Sequence, residues 1–176
     1  MEFRGVFAPS LRLAGKALLA FAVLLSTYEV SPLKAQTCGS SGLALQVLGS
    51  GGPELQDKRA STSYLLWDQG IARVIVDAGG GSALRFGESG AQMSQVDLVL
   101  FSHFHIDHSG DFSALVFSSW FEDRKRPLPV YGPPGNAFMP STREFVSDLF
   151  SEPHGAWRYE RAGGTSQERK LHTGTA

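Results

Sequence analysis

Apolar and polar positions alternate from Leu43 to Val47, and the run then breaks on the glycines of "LGSGGP", ending at Pro53. A period of two followed by glycines reads as a strand entering a turn. "TSYLLW", Thr62–Trp67, and "ARVIVDAGGG", Ala72–Gly81, repeat the strand pattern, with Asp68-Gln69-Gly70 between them as a hairpin loop. "VDLVLFS", Val96–Ser102, is almost continuously apolar and predicts a buried strand. "PLPVYGPPG", Pro127–Gly135, predicts a short strand that closes in a proline turn.

Between these runs the period changes to that of a helix. Ser82–Gly90 predicts a short helix capped by Ser82 and ended by Gly87 or Gly90. Asp111 offers an N-cap for a helix whose apolar stripe is Phe112, Leu115, Val116, Trp120 and Phe121. Ser141-Thr142-Arg143-Glu144 fits a capping box, followed by Phe145, Val146, Leu149 and Phe150 on one face. Strands come first and then alternate with helices. The fold class predicted is therefore α/β or α+β, with helices layered on a sheet.

Two terminal segments differ from this pattern. Arg4, Arg12 and Lys16 precede the apolar run Ala17–Leu25, and Ala35-Gln36 follows, so residues 1–36 read as a secretory signal peptide. The apolar run is shorter than the roughly 20 residues needed to cross a bilayer. A periplasmic or secreted protein with no stable membrane anchor is predicted. The domain is expected over residues 43–157. Beyond it, residues 158–176 are polar and aperiodic and predict a disordered tail.

The chain's 176 residues, 42% of them hydrophobic, suffice for one domain with a core. A net charge of −1 provides no bulk attraction to nucleic acid, and Arg124-Lys125-Arg126 reads as a solvated loop. The single cysteine, Cys38, excludes both an internal disulfide and a cysteine-rich zinc site.

The chemistry lies in "HFHIDH", which holds three of the five histidines within six residues. On an extended segment, positions two apart face the same way, so His103 and His105 can grip one ion. Asp107 and His108 follow where the chain turns and can face a second. Imidazole and carboxylate are good zinc donors. Phe104 and Ile106 point away and can anchor the loop in the core. Ser109-Gly110 permits the turn into Asp111. The cluster sits at the C-terminal end of a strand, where open α/β sheets usually bind ligands.

His103-Phe104-His105-Ile106-Asp107-His108 resembles the signature of the metallo-β-lactamase fold hydrolases. "LQVLGSGGP", "RVIVDAGGG" and "PLPVYGPPG" are similar, in order, to blocks of the ribonuclease Z and arylsulfatase-like branch, across residues 43 to 150. The resemblance implies an αββα sandwich with two Zn2+ ions at one edge. It places His103 and His105 on one ion, Asp107 and His108 on the other, and a bridging hydroxide as nucleophile. It makes Asp107 catalytic, as the group that handles the proton, and has Asp77 orient the motif loop. A plain strand-end turn accounts for Asp77 equally well.

A catalytic zinc takes about three protein ligands and keeps one open position. Downstream of the motif stand only His154 and His172, expected in a loop and in the tail, and Asp148 is the last aspartate. The matched block is half of a two-sheet sandwich, so only the N-terminal half of the fold is expected, with one sheet face lacking a partner. The compositional break near Tyr159 and Glu160 is the pattern a frameshift would leave. The function this implies is a secreted zinc-dependent hydrolase of phosphodiester or sulfate esters, acting on a small-molecule substrate. Nucleic acid is not expected as a partner, and a homodimer is left open. The alternatives are a ribonuclease Z-like endoribonuclease and a truncated, non-catalytic remnant. Sequencing the N-terminus of exported protein should find it near Gln36 or Thr37, and an intact Met1 would refute the signal.

Overall fold

The computed structural model describes residues 40–158 and 171–175. The signal segment and Cys38 lie outside the described residues. One mixed sheet runs in the order β1 (Leu43–Gly49), β2 (Ser63–Asp68), β3 (Ile71–Val76), β4 (Leu98–Leu100), β5 (Leu128–Gly132) and β6 (Leu171–Thr175). β1 pairs with β2, and β2 with β3, antiparallel, whereas β3 through β6 pair parallel. The β2–β3 hairpin closes on Gln69 and Gly70, both at positive φ (52° and 77°). Two successive left-handed residues give the turn whose twist matches the paired strands.

Beside the sheet lie α1 (Ser82–Glu88), the single turn α2 (Ile106–Ser109), α3 (Phe112–Phe121) and α4 (Thr142–Phe150). One sheet face (Leu65, Trp67, Ile75, Val99, Val130) packs against Phe86 of α1, Phe112, Leu115 and Val116 of α3, and Val146 and Phe150 of α4. The opposite face is also apolar. Register aligns Leu45 with Leu66 and Val74, and Val47 with Tyr64 and Val76, continuing to Leu98, Leu100 and Tyr131. At the sheet's edge Leu43, Leu45 and Val47 are 74%, 63% and 55% exposed. This is the open inner face expected of a half sandwich.

Several local expectations give way to tertiary contacts. Ser82 is buried in the first turn of α1 and does not cap it; the N-cap is Gly81, at φ 86°. A glycine offers no capping side chain, and the Ala83 N–H donates instead to Asp111 Oδ2 at 3.0 Å. Asp111 stands at the start of α3 but makes no side-chain cap there. The buried stripe of α3 ends at Ser119, one helical turn past Leu115 and Val116, while Phe121 is 80% exposed. The Ser141–Glu144 capping box forms as read.

The basic trio also has a structural task. Arg124 donates to the carbonyls of Met93, Val96 and Pro127 at 2.7, 2.7 and 2.8 Å. Arg126 pairs with Asp97 and donates to the Gln95 carbonyl. Burial, and then the nearby Arg126 charge, push the Arg124 pKa down to about 10, so it remains a cation at neutral pH. These two arginines tie the loop before β4 to the entry of β5. Lys125 and Arg126 are exposed, as a solvated loop requires, and only Arg124 departs from that reading, being half-buried among the carbonyls it binds.

The polar end of the chain departs from its composition too. Residues 171–175 form β6, parallel to β5, where a disordered tail is expected. Composition misses this strand because an edge strand is held by main-chain hydrogen bonds, which require no apolar run.

Gly79 fixes how closely β3's exit can approach the histidine motif. A Cβ there would lie 2.0 Å from the Asp107 carbonyl oxygen and 2.7 Å from Ser61 Cβ. Gly79→Ala is therefore expected to cost about 1–3 kcal/mol through overpacking. Urea unfolding of the variant checks this, and an unchanged midpoint would refute it.

Candidate metal centre

The C-terminal end of β4 carries Phe101 and Ser102 directly into the motif. Phe101 is buried, and Phe104 stacks on Phe145 with centroids 4.3 Å apart and planes 19° off parallel. Phe101 meets Phe112 edge-on at 5.1 Å. These rings anchor the loop in the core, as read for Phe104. Ile106 does not share this role; it is 71% exposed, because α2 begins there and turns its side chain outward. Buried Ser109 closes the turn from below, donating to the His105 carbonyl at 3.0 Å.

The exit of β3 is stapled to the same loop. The Asp77 N–H donates to the Leu100 carbonyl (2.8 Å), Ala78 N–H to the His108 carbonyl (2.6 Å) and Asp111 N–H to the Ala78 carbonyl (2.8 Å). Asp77 is 3% exposed and sits at φ 57°, a conformation Asp tolerates better than most residues. Its Oδ1 accepts the Ser102 N–H at 2.8 Å. Its Oδ2 accepts the Ser102 hydroxyl and meets His108 Nδ1, both at 2.8 Å. The two readings of Asp77 thus combine: it is a strand-end turn residue, and it holds the motif loop.

The four candidate ligands come together as two pairs. His103 Nε2 lies 3.0 Å from His105 Nδ1, and His108 Nε2 lies 3.5 Å from Asp107 Oδ2. Two tetrahedral zinc bonds of about 2.0–2.1 Å would separate their donor atoms by about 3.3 Å. Both pairs are close to that span, and the donor chemistry suits zinc. Burial first, and then the neighbouring His108 and His105, lower the pKa of His103, which favours the neutral imidazole that a metal requires. Among the described residues no three His, Cys, Asp or Glu side chains converge to hold one ion. Each pair therefore accounts for two ligands and no more. His154 is exposed in the turn after α4, and His172 lies on β6 opposite Pro129 in register.

Ser102 was not read from the sequence as part of the site. Its hydroxyl lies 3.0 Å from His103 Nδ1 and 3.2 Å from His108 Nδ1, besides donating to Asp77. Its position immediately before the first histidine, a hydroxyl ending an otherwise apolar strand, is the signal that could have revealed it.

A family model of the Metallo-beta-lactamase superfamily matches residues 57–174. The chain belongs to this superfamily. The match runs past residue 157 and into β6. Among curated relatives, Ribonuclease Z of Mycobacterium bovis (strain BCG / Pasteur 1173P2) is 34% identical over 98 residues, which are 54% of this chain and 35% of that protein. Ribonuclease Z of Mycolicibacterium gilvum is 33% identical over 98 residues, 54% of this chain and 34% of that protein. Human tRNase Z, short form, superposes with a TM-score of 0.54 at 20% identity, covering 74% of this chain and 44% of that one. The metallo-beta-lactamase fold protein YhfI from Bacillus subtilis gives 0.51 at 22% identity, with 76% and 44% covered. The superpositions establish the fold. The chain corresponds to less than half the length of each of these proteins.

Removing the Asp77 carboxylate leaves one N–H, one hydroxyl and one imidazole without their shared acceptor. Asp77→Ala is expected to cost roughly 3 kcal/mol or more and to broaden the imidazole resonances of His103 and His108. Urea titration and imidazole NMR spectra check it; sharp, unshifted resonances would show that another contact holds the motif.

Proposed function

We propose that this chain is the metal-binding part of a zinc-dependent phosphodiester hydrolase of the ribonuclease Z branch. The observation that carries the proposal is the pairing of His103 with His105 and of Asp107 with His108 at one edge of the sheet, each pair at a separation that fits a shared ion. His103 and His105 would hold one Zn2+, and Asp107 and His108 a second. Bound there, zinc supplies Lewis acidity toward a water and an ester oxygen.

The chain's own groups then have separable tasks. Asp77 holds His108 with its Nδ1 proton directed at a carboxylate, which leaves Nε2 facing Asp107. Asp107 would hold a proton at the reacting ester oxygen. The aromatic anchor of Phe101, Phe104 and Phe145 keeps the motif from moving as charge develops.

A phosphodiester is favoured as the substrate because several relatives carry the name Ribonuclease Z. A sulfate ester has a similar tetrahedral, anionic centre and is the alternative within the same chemistry. A net charge of −1 favours a small ester over RNA. The basic n-region and apolar run within residues 1–36 support export to the periplasm or the medium.

Purified full chain should bind zinc on elemental analysis and cleave bis-p-nitrophenyl phosphate faster than an aryl sulfate, a chromogenic cephalosporin or a tRNA precursor. His105→Ala is expected to lower turnover at least about 100-fold, as removal of a metal-activating group would. Full turnover in that variant, or a purified chain without zinc and without turnover, would overturn the proposal. Faster cleavage of the tRNA precursor would favour the endoribonuclease reading.

A further inference from the structure

We propose that Ser102 is a positioning residue: its hydroxyl relays the Asp77 carboxylate to His103 and keeps the His103 proton on Nδ1, leaving Nε2 as the free donor. The inference rests on the metal-centre reading for its purpose, and on hydrogen-bond accounting for its content.

The Ser102 hydroxyl oxygen lies 2.8 Å from Asp77 Oδ2, 3.0 Å from His103 Nδ1 and 3.2 Å from His108 Nδ1. A carboxylate only accepts, and a hydroxyl has one proton to give. The Ser102 proton therefore goes to Asp77; otherwise two oxygens would face each other at 2.8 Å with no proton between them. Asp77 Oδ2 is also the nearer partner of His108 Nδ1, at 2.8 Å, so His108 has its own direct acceptor. The Ser102 oxygen is left with lone pairs facing His103 Nδ1. That contact is attractive only when Nδ1 bears a proton.

His103 Nε2 is then unprotonated and, without an ion, accepts from His105 Nδ1–H at 3.0 Å, the side on which an ion would be shared. Free histidine prefers its proton on Nε2, the opposite tautomer. One carboxylate thus sets the tautomers of two histidines, His108 directly and His103 through Ser102. Outer partners of this kind, acting through the other ring nitrogen, typically change metal affinity about 10- to 100-fold.

The test uses the full chain with its histidine rings labelled with 15N. Long-range proton–nitrogen spectra of the metal-free protein at pH 8 should show His103 and His108 with the proton on Nδ1. Ser102→Ala should return His103 to the Nε2-protonated form and leave His108 unchanged, and Ser102→Thr, which keeps the hydroxyl, should preserve the wild-type pattern. Zinc affinity, measured by chelator competition, should fall about 10- to 100-fold in Ser102→Ala and recover in Ser102→Thr. A wild-type His103 protonated on Nε2, or a Ser102→Ala variant with an unchanged His103 signal, would overturn the relay. The expected tautomers in a wild-type protein that binds no zinc would support the relay and refute the metal-centre reading, so the two fail separately.

Discussion

The Asp77 carboxylate is the point on which the site depends. It ends β3 in a left-handed conformation, is nearly fully buried, and gathers a main-chain N–H, a hydroxyl and an imidazole. All three groups belong to the segment that leaves β4. Hydrogen bonds to a charged acceptor are stronger than neutral ones, and a buried carboxylate without partners would be costly. The exits of two parallel strands are therefore held together by one side chain. The glycine two residues further on allows the backbones to touch. Without this convergence the histidines would sit on a flexible loop with no common orientation.

The two sheet faces are equally apolar and differ in what covers them. One is filled by α1, α3 and α4; the other is exposed on β1 and at Leu100 and Tyr131 and half-buried between them on β2 and β3. Each ligand pair also stops at two donors, below the three typical of catalytic zinc. The open face and the short donor sets agree with a chain that matches less than half the length of its structural relatives.

Much of the fold was legible in the sequence where local chemistry decides it. The left-handed pair at Gln69-Gly70, the Ser141–Glu144 capping box and the apolar run of β4 each follow from residues within a few positions of one another. Residues whose partners are remote in the sequence depart from what their neighbours imply. Ser82 looked like a cap, yet Asp111, some thirty residues away, takes that part for α1. Arg124 looked like surface charge, yet it gathers carbonyls from two segments. Trp120 and Phe121 looked like core, but helical phase placed Ser119 inward instead. β6 has no apolar signature, because main-chain pairing alone defines it.

The sequence by itself determined the superfamily, the order of the elements from β1 through the helix at Thr142–Phe150 apart from the turn at Ile106–Ser109, and the identity of the four candidate ligands. Ligand type and spacing are local properties, written in six consecutive residues. Only the tertiary structure decided how those ligands divide, nitrogen facing nitrogen in one pair and imidazole facing carboxylate in the other. It also brought Ser102 into the network, since its role depends on Asp77, 25 residues earlier, lying beside it in the parallel sheet. Which proton sits on which nitrogen is set by atoms that meet only when β3 and β4 end side by side.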